Sequence, residues 1–190
     1  MEHQERLLQI LKKSDMLMEV FSHINQLKLD TYYIGAGCIT QTVWNELTER
    51  PLDYGITDID IVYFDSRDLS YEVEDKVIRD VKKLFPNIPT KLDIKNQARV
   101  HMWYKDKFGI ELPPYQTIEQ AIDTWPTTAT ALGIRKVDED GWKVYAPFGL
   151  NDLFNLIVRP NKKLITEEIY MKKADKWKEK WPELQIMKWD

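Results

Sequence analysis

Apolar residues in the first part of the chain recur every three or four positions: Leu7, Ile10 and Leu11, then Met16, Val20, Phe21, Ile24 and Leu27. This spacing predicts helices over 2–28, with Ser14 capping the second. Residues 31–34 then form a short strand candidate that runs into Gly35-Ala36-Gly37, and 39–48 again has helical spacing. Residues 51–55 have the Pro, Asp and Gly content of a loop. Residues 57–64, Thr-Asp-Ile-Asp-Ile-Val-Tyr-Phe, are rich in β-branched and aromatic types and predict a strand. An amphipathic helix over 71–85 places Val73, Val77, Ile78, Val81 and Leu84 on one side. A strand over 90–94 and a helix over 97–107 follow. Beyond the Pro113-Pro114 break, a short helix is expected at 117–123.

The C-terminal part predicts a hairpin, with strands within 127–137 and 142–145 joined by Asp138-Glu139-Asp140-Gly141. A helix over 150–158, with Leu153, Phe154 and Ile157 inward, and a charged helix over 166–180 complete the pattern. Trp177, Trp181 and Trp189 are expected to pack this last helix against the rest, with its lysines in solvent. Helices intermixed with short strands predict an α+β (mixed α/β) fold, a mixed sheet flanked by helices. A single domain over 1–190 is expected: N-terminal helices over 1–28, a core over 31–110, and the hairpin and helices over 111–190.

Composition narrows the class. Of 190 residues, 43% are hydrophobic and 31% charged, which suits a folded soluble protein. The net charge of −4 gives no general electrostatic drive toward a nucleic-acid backbone, though a local basic groove stays open. Cys38 is the single cysteine, so no intrachain disulfide can form. With no signal-like start and no apolar run of about 20 residues, the expected location is cytoplasmic, with no membrane partner.

Asp58 and Asp60 carry the chemistry. On a strand they share one face, roughly 7 Å apart along the chain. Paired carboxylates repel unless a cation or proton compensates them. Mg²⁺, or Mn²⁺ in its place, suits a few carboxylates plus phosphate oxygens. Asp93 on the next strand candidate completes a triad if the two strands pair. Three carboxylates can hold two ions about 4 Å apart, which suits in-line phosphoryl displacement. The Gly35-Ala36-Gly37 turn lies between a strand and a helix, where backbone N–H groups can approach a phosphate. Lys95 and Arg99 are candidates to neutralise phosphate. His101 and Arg99 point in different directions on a helix, so one of them at most lines the site. No glycine-lysine phosphate loop and no Gly-x-Ser-x-Gly occurs, which disfavours P-loop NTPases and serine hydrolases.

A glycine turn after a strand, Asp-x-Asp on the next strand and a third Asp later resemble the polymerase-β-type nucleotidyltransferase superfamily. Residues 35–45, 54–65 and 95–101 resemble a bacterial nucleotidyltransferase-like family within it. The likeness implies that Asp58 and Asp60 hold the metals, with Asp60 touching both. It implies that Asp93 binds the catalytic metal and helps deprotonate the attacking hydroxyl. The backbone of Gly35, Ala36 and Gly37 would cradle the triphosphate. The implied activity is transfer of a nucleoside monophosphate from an NTP to a hydroxyl acceptor. Two features depart from the superfamily pattern: Ala36 stands where Ser or Gly is usual, and residues 51–55 lengthen the interval to Asp58. A non-catalytic binding domain of the same fold and a metal-dependent glycosyltransferase are the alternatives. The acceptor surface is expected within 127–158, with Arg135 and Arg159 as anionic contacts.

Overall fold

The computed structural model describes residues 2–138 and 141–190. Two helices open the chain, α1 (Glu2–Leu11) and α2 (Asp15–His23). The Ser14 side chain accepts the Leu17 N–H at 3.3 Å, so the expected cap starts α2. Then come β1 (Tyr32–Gly35), α3 (Gly37–Leu47), β2 (Asp58–Tyr63), α4 (Tyr71–Leu84) and β3 (Lys91–Asn96). After these lie α5 (His101–Phe108), α6 (Ile118–Ile122), β4 (Gly133–Lys136), β5 (Trp142–Tyr145) and α7 (Asn151–Phe154). The last elements are β6 (Ile157–Val158), α8 (Glu167–Lys180) and β7 (Gln185–Ile186).

Five strands form a mixed sheet in the order β3-β2-β1-β4-β5. β2 and β3 run parallel, and the other neighbours are antiparallel. Alternation gives the sheet two unlike faces. One carries Ile34, Ile59, Ile61, Leu92, Ile94 and Ile134, all buried in a core shared with α1, α2 and α3. The other carries Asp58, Asp60 and Asp93 at one end. Further along it, Tyr33 and Val62 pack under Ile118 and Ile122 of α6. The sheet is therefore anchored on one side and left polar at one end of the other.

Three predicted elements differ in the structure. Of the strand expected within 127–137, only Gly133–Lys136 is extended. The Thr127 and Thr130 hydroxyls bond each other at 2.8 Å, and the Thr130 N–H bonds back to Thr127, so local turn bonds displace the ladder. The helix expected over 150–158 stops at Phe154, because Leu156 takes φ +56° and Ile157–Val158 pairs in parallel with Gln185–Ile186. The helix expected from residue 97 starts as a short 3₁₀ turn, Gln97–Arg99, and α5 begins at His101. The β4–β5 hairpin forms as expected, although Glu139 and Asp140 of its turn lie outside the described residues.

Candidate functional site

The register assembles the site. Gly35 of β1 pairs with Asp60 of β2, and Asp60 pairs with Asp93 of β3. The glycine turn and two carboxylates thus lie in one row across three strands, with Asp58 two residues along on the same face. One carboxylate oxygen from each of Asp58, Asp60 and Asp93 lies within 4.8 Å of the others. Gly35 is required by close approach: a Cβ there would stand 2.4 Å from the Leu132 carbonyl oxygen and 2.9 Å from the Trp125 ring.

The turn itself is strained. Ala36 has φ 56° and ψ −134°, a conformation that favours glycine. It is held by its N–H bond to Leu132 O at 3.1 Å and by the Thr40 N–H on its own carbonyl. No side chain caps α3 and its first turn has no acidic residue, so the N–H groups at its start are free of a side-chain cap. Ala36→Gly is expected to raise stability by about 1 kcal/mol, the strain relieved less the chain entropy that glycine adds. Urea denaturation of the two proteins checks it.

Burial pushes the Asp60 carboxyl up to about 6. Lys95 and Lys173 pull it down, while Asp58 and Asp93 push it up. Lys95 Nζ is itself bound to Asp93 Oδ2 at 2.5 Å. Of the three carboxylates, Asp93 is the one ion-paired to a lysine. This all-oxygen donor set fits a hard divalent cation such as Mg²⁺ or Mn²⁺.

Facing the triad is a wall that the sequence reading left in solvent. A cavity of about 450 Å³ extends from Ala36, Gly37, Thr57, Asp58 and Asp60 to α8. From α8 come Lys172, Lys173, Lys176 and Lys180. Positions 172, 176 and 180 repeat at helical spacing and form one stripe. That periodicity is the signal the sequence carries for this wall. Burial pulls the Lys173 ammonium down, and Asp60 and Asp58 push it back up. Lys180 Nζ bonds Gly55 O at 2.9 Å, tying the wall to the 51–55 insertion. The tryptophans pack as expected: Trp177 and Trp181 lie against Trp44, and Trp189 against Tyr170.

Other expected contacts do not reach the cleft. Arg99 is bound to the Glu74 carboxylate and donates to Leu69 O at 2.9 Å. Glu74 also accepts the Asn96 N–H at 2.8 Å, so Arg99 braces α4 against the end of β3 instead of facing phosphate. Arg159 is paired with Asp152 at 2.9 Å, and the Arg135 guanidinium lies over the Tyr33 ring. His101 lies at the start of α5 and is not among the cleft residues.

A family model described as "Nucleotidyltransferase" matches residues 22–186. The chain belongs to this family. The matched span holds the glycine turn, the three carboxylates and α8. A solved structure described as revealing a CCA-adding enzyme head domain is similar over 97% of this chain and 95% of its own, with 28% identity and a TM-score of 0.78. A search of curated proteins finds no match. No helix among the described residues is long and apolar enough to cross a membrane.

Proposed function

We propose that the protein transfers a nucleoside monophosphate from an NTP to a hydroxyl acceptor and releases pyrophosphate. The observation that carries this reading is the acidic triad set opposite a lysine stripe, with an uncapped helix start between them. Asp58, Asp60 and Asp93 would hold Mg²⁺ or Mn²⁺, which when bound supplies Lewis-acid polarisation of the phosphate and eases ionisation of the entering hydroxyl. The N–H groups at Gly37 and the next residues point along the axis of α3 and suit a phosphate oxygen. Lys172, Lys173 and Lys176 suit the charge of the outer phosphates and steady it as pyrophosphate departs. Lys95 is ion-paired to Asp93, and in this reading the Asp93 carboxylate takes the acceptor's proton.

Thermal stability with Mg²⁺ or Mn²⁺ and each of ATP, GTP, CTP and UTP tests the reading. A metal-dependent rise with at least one NTP, absent in Asp58→Asn, is expected because a ligand of the folded state must stabilise it. Indifference to every metal and nucleotide pair would favour the non-catalytic alternative.

The lysine wall has its own test. Lys172→Ala/Lys176→Ala is expected to weaken NTP binding on the order of 10-fold or more, from lost charge-assisted contacts. Both side chains are exposed, so stability should move by no more than about 0.5 kcal/mol. Calorimetric titration at two salt concentrations checks this, and the variant should show the shallower salt dependence.

A further inference from the structure

Asp60 borders a second cavity, of about 280 Å³, that meets the first at Ala36, Asp60 and Lys173 and is not lined by Lys172, Lys176 or Lys180. Along β2 the first cavity touches Thr57, Asp58 and Asp60, while this one touches Asp60 and Val62. Its walls are aromatic: Trp103, Tyr104 and Phe108 from α5, with Tyr115 and Trp125 from either side of α6. α5 buries none of its residues, and Phe108 is 37% exposed. A helix that spends three aromatic side chains on a concavity, and none on the core, is built around something that fills it. Gln97 also lines the cavity, only 5% exposed, and Asp60, Lys95, Lys107 and Lys173 add charged groups at its margins.

We infer that this cavity is the acceptor site, and that the acceptor is a small hydroxyl-bearing compound with a flat, largely apolar ring. The inference rests on the nucleotidyl-transfer reading above. Direction decides it. Lys172, Lys176 and Lys180 line the first cavity and not the second, Lys180 reaching Gly55, while Lys173 stands beside Asp60 where the two cavities meet. A triphosphate with its α-phosphate at Asp60 sends its pyrophosphate along that stripe. In-line displacement requires the entering oxygen on the opposite side of the phosphorus. On that side lies the aromatic cavity. The acceptor oxygen bonds to the α-phosphorus as the bond to the α–β bridging oxygen breaks. Pyrophosphate leaves with that electron pair, and the hydroxyl proton passes to the Asp93 carboxylate. The aromatic side chains offer faces and edges to a ring. The size suits a small molecule, and the basic stripe that a polymer backbone would follow lies on the donor side.

The experiment uses the full chain labelled with ¹⁵N, reading the tryptophan indole signals. Benzyl alcohol, adenosine and a short RNA with a free 3′-hydroxyl are added separately. Each addition is made to the metal-free protein and to protein holding Mg²⁺ and α,β-methylene analogues of the four NTPs. Benzyl alcohol is expected to move the Trp103 and Trp125 signals whether or not a donor analogue is bound. Trp103→Ala should weaken that binding at least tenfold and leave the analogue's thermal shift unchanged. Displacement of benzyl alcohol by the analogues or by adenosine would make the cavity the donor's base site and overturn the inference. Movement of the two signals by RNA alone, or by none of the probes, would overturn it as well. Failure of every analogue to shift the wild-type melting temperature sinks the nucleotidyl-transfer reading instead. Ring binding to the metal-free protein is read separately, so the two failures are distinguishable.

Discussion

Asp60→Asn is expected to abolish transfer and, in the absence of metal, to make the protein more stable. Asp60 sits at the centre of the row that joins Gly35 and Asp93, with Asp58 on the same face. Burial and two neighbouring carboxylates oppose its ionisation, and Lys95 and Lys173 compensate only in part. Its folded carboxyl is raised from 3.8 to about 6. The folded state therefore keeps a proton that the unfolded chain loses earlier. As pH rises from about 4 to 6 the unfolded chain becomes the favoured anion, so Asp60 lowers stability through that window. Above it the penalty is fully present, about 3 kcal/mol on the scale set by such a difference. The neutral, nearly isosteric Asn escapes it.

Urea denaturation of metal-free protein at pH 4.5 and 7.5 separates the cases. Wild type should lose stability between the two, relative to Asp60→Asn. Adding Mg²⁺ or Mn²⁺ at pH 7.5 should restore wild type and leave the variant unmoved. The activity loss should be on the order of 10³ or more, from several kcal/mol of lost charge stabilisation. A variant that transfers nucleotide at the wild-type rate would remove Asp60 from the chemistry. A variant no more stable than wild type at pH 7.5 would show that its neighbours neutralise it fully.

The acidic half of the cleft was legible in the chain because strand alternation is a short-range rule. Asp58 and Asp60 had to share a face, and Asp93 joined them once β3 paired with β2. The turn at Gly35-Ala36-Gly37 was likewise local. The basic half was not legible, because it depends on where α8 docks, more than a hundred residues from β2. Lys172, Lys176 and Lys180 form a stripe in sequence, but a charged stripe on a terminal helix usually faces water. Arg99 failed for a related reason: its partner Glu74 belongs to a different helix, and no spacing rule links them. The strands at 157–158 and 185–186 escaped because each has two residues and exists only through the other.

Beside the core packing of Tyr170, Ala174 and the Trp177 and Trp181 rings, one buried amide ties α8 to α3, and its removal should be strongly destabilising. Asn45 lies on α3 with no solvent exposure. Its Nδ2 donates to Leu52 O at 3.0 Å and Tyr54 O at 2.9 Å, and its Oδ1 accepts the Trp181 indole N–H at 2.7 Å. One side chain thus holds the 51–55 insertion to α3 and holds the residue that follows α8. The insertion and the helix also touch directly, because a Cβ at Gly55 would stand 2.9 Å from the Trp181 ring, and Lys180 bonds the Gly55 carbonyl. The insertion that departs from the superfamily pattern is in this chain the seat of the lysine wall. Asn45→Ala strands the indole N–H and two carbonyls in the interior and leaves a small void. The expected loss is about 3 kcal/mol, several net hydrogen bonds and their desolvation. Asn45→Asp keeps the shape and the acceptor but removes the donor pair and buries a charge, so it should cost a comparable amount. Chemical denaturation measures both. The functional readout is sharper: under conditions where Asn45→Ala is still folded, NTP affinity should fall along with stability, because the lysines lose their fixed position. Metal binding by the triad, which is held by β2 and β3, should persist. Loss of stability with unchanged NTP affinity would mean that α8 keeps its place without this amide, and that the wall is positioned by the packing of Trp177 and Trp181 on Trp44 alone.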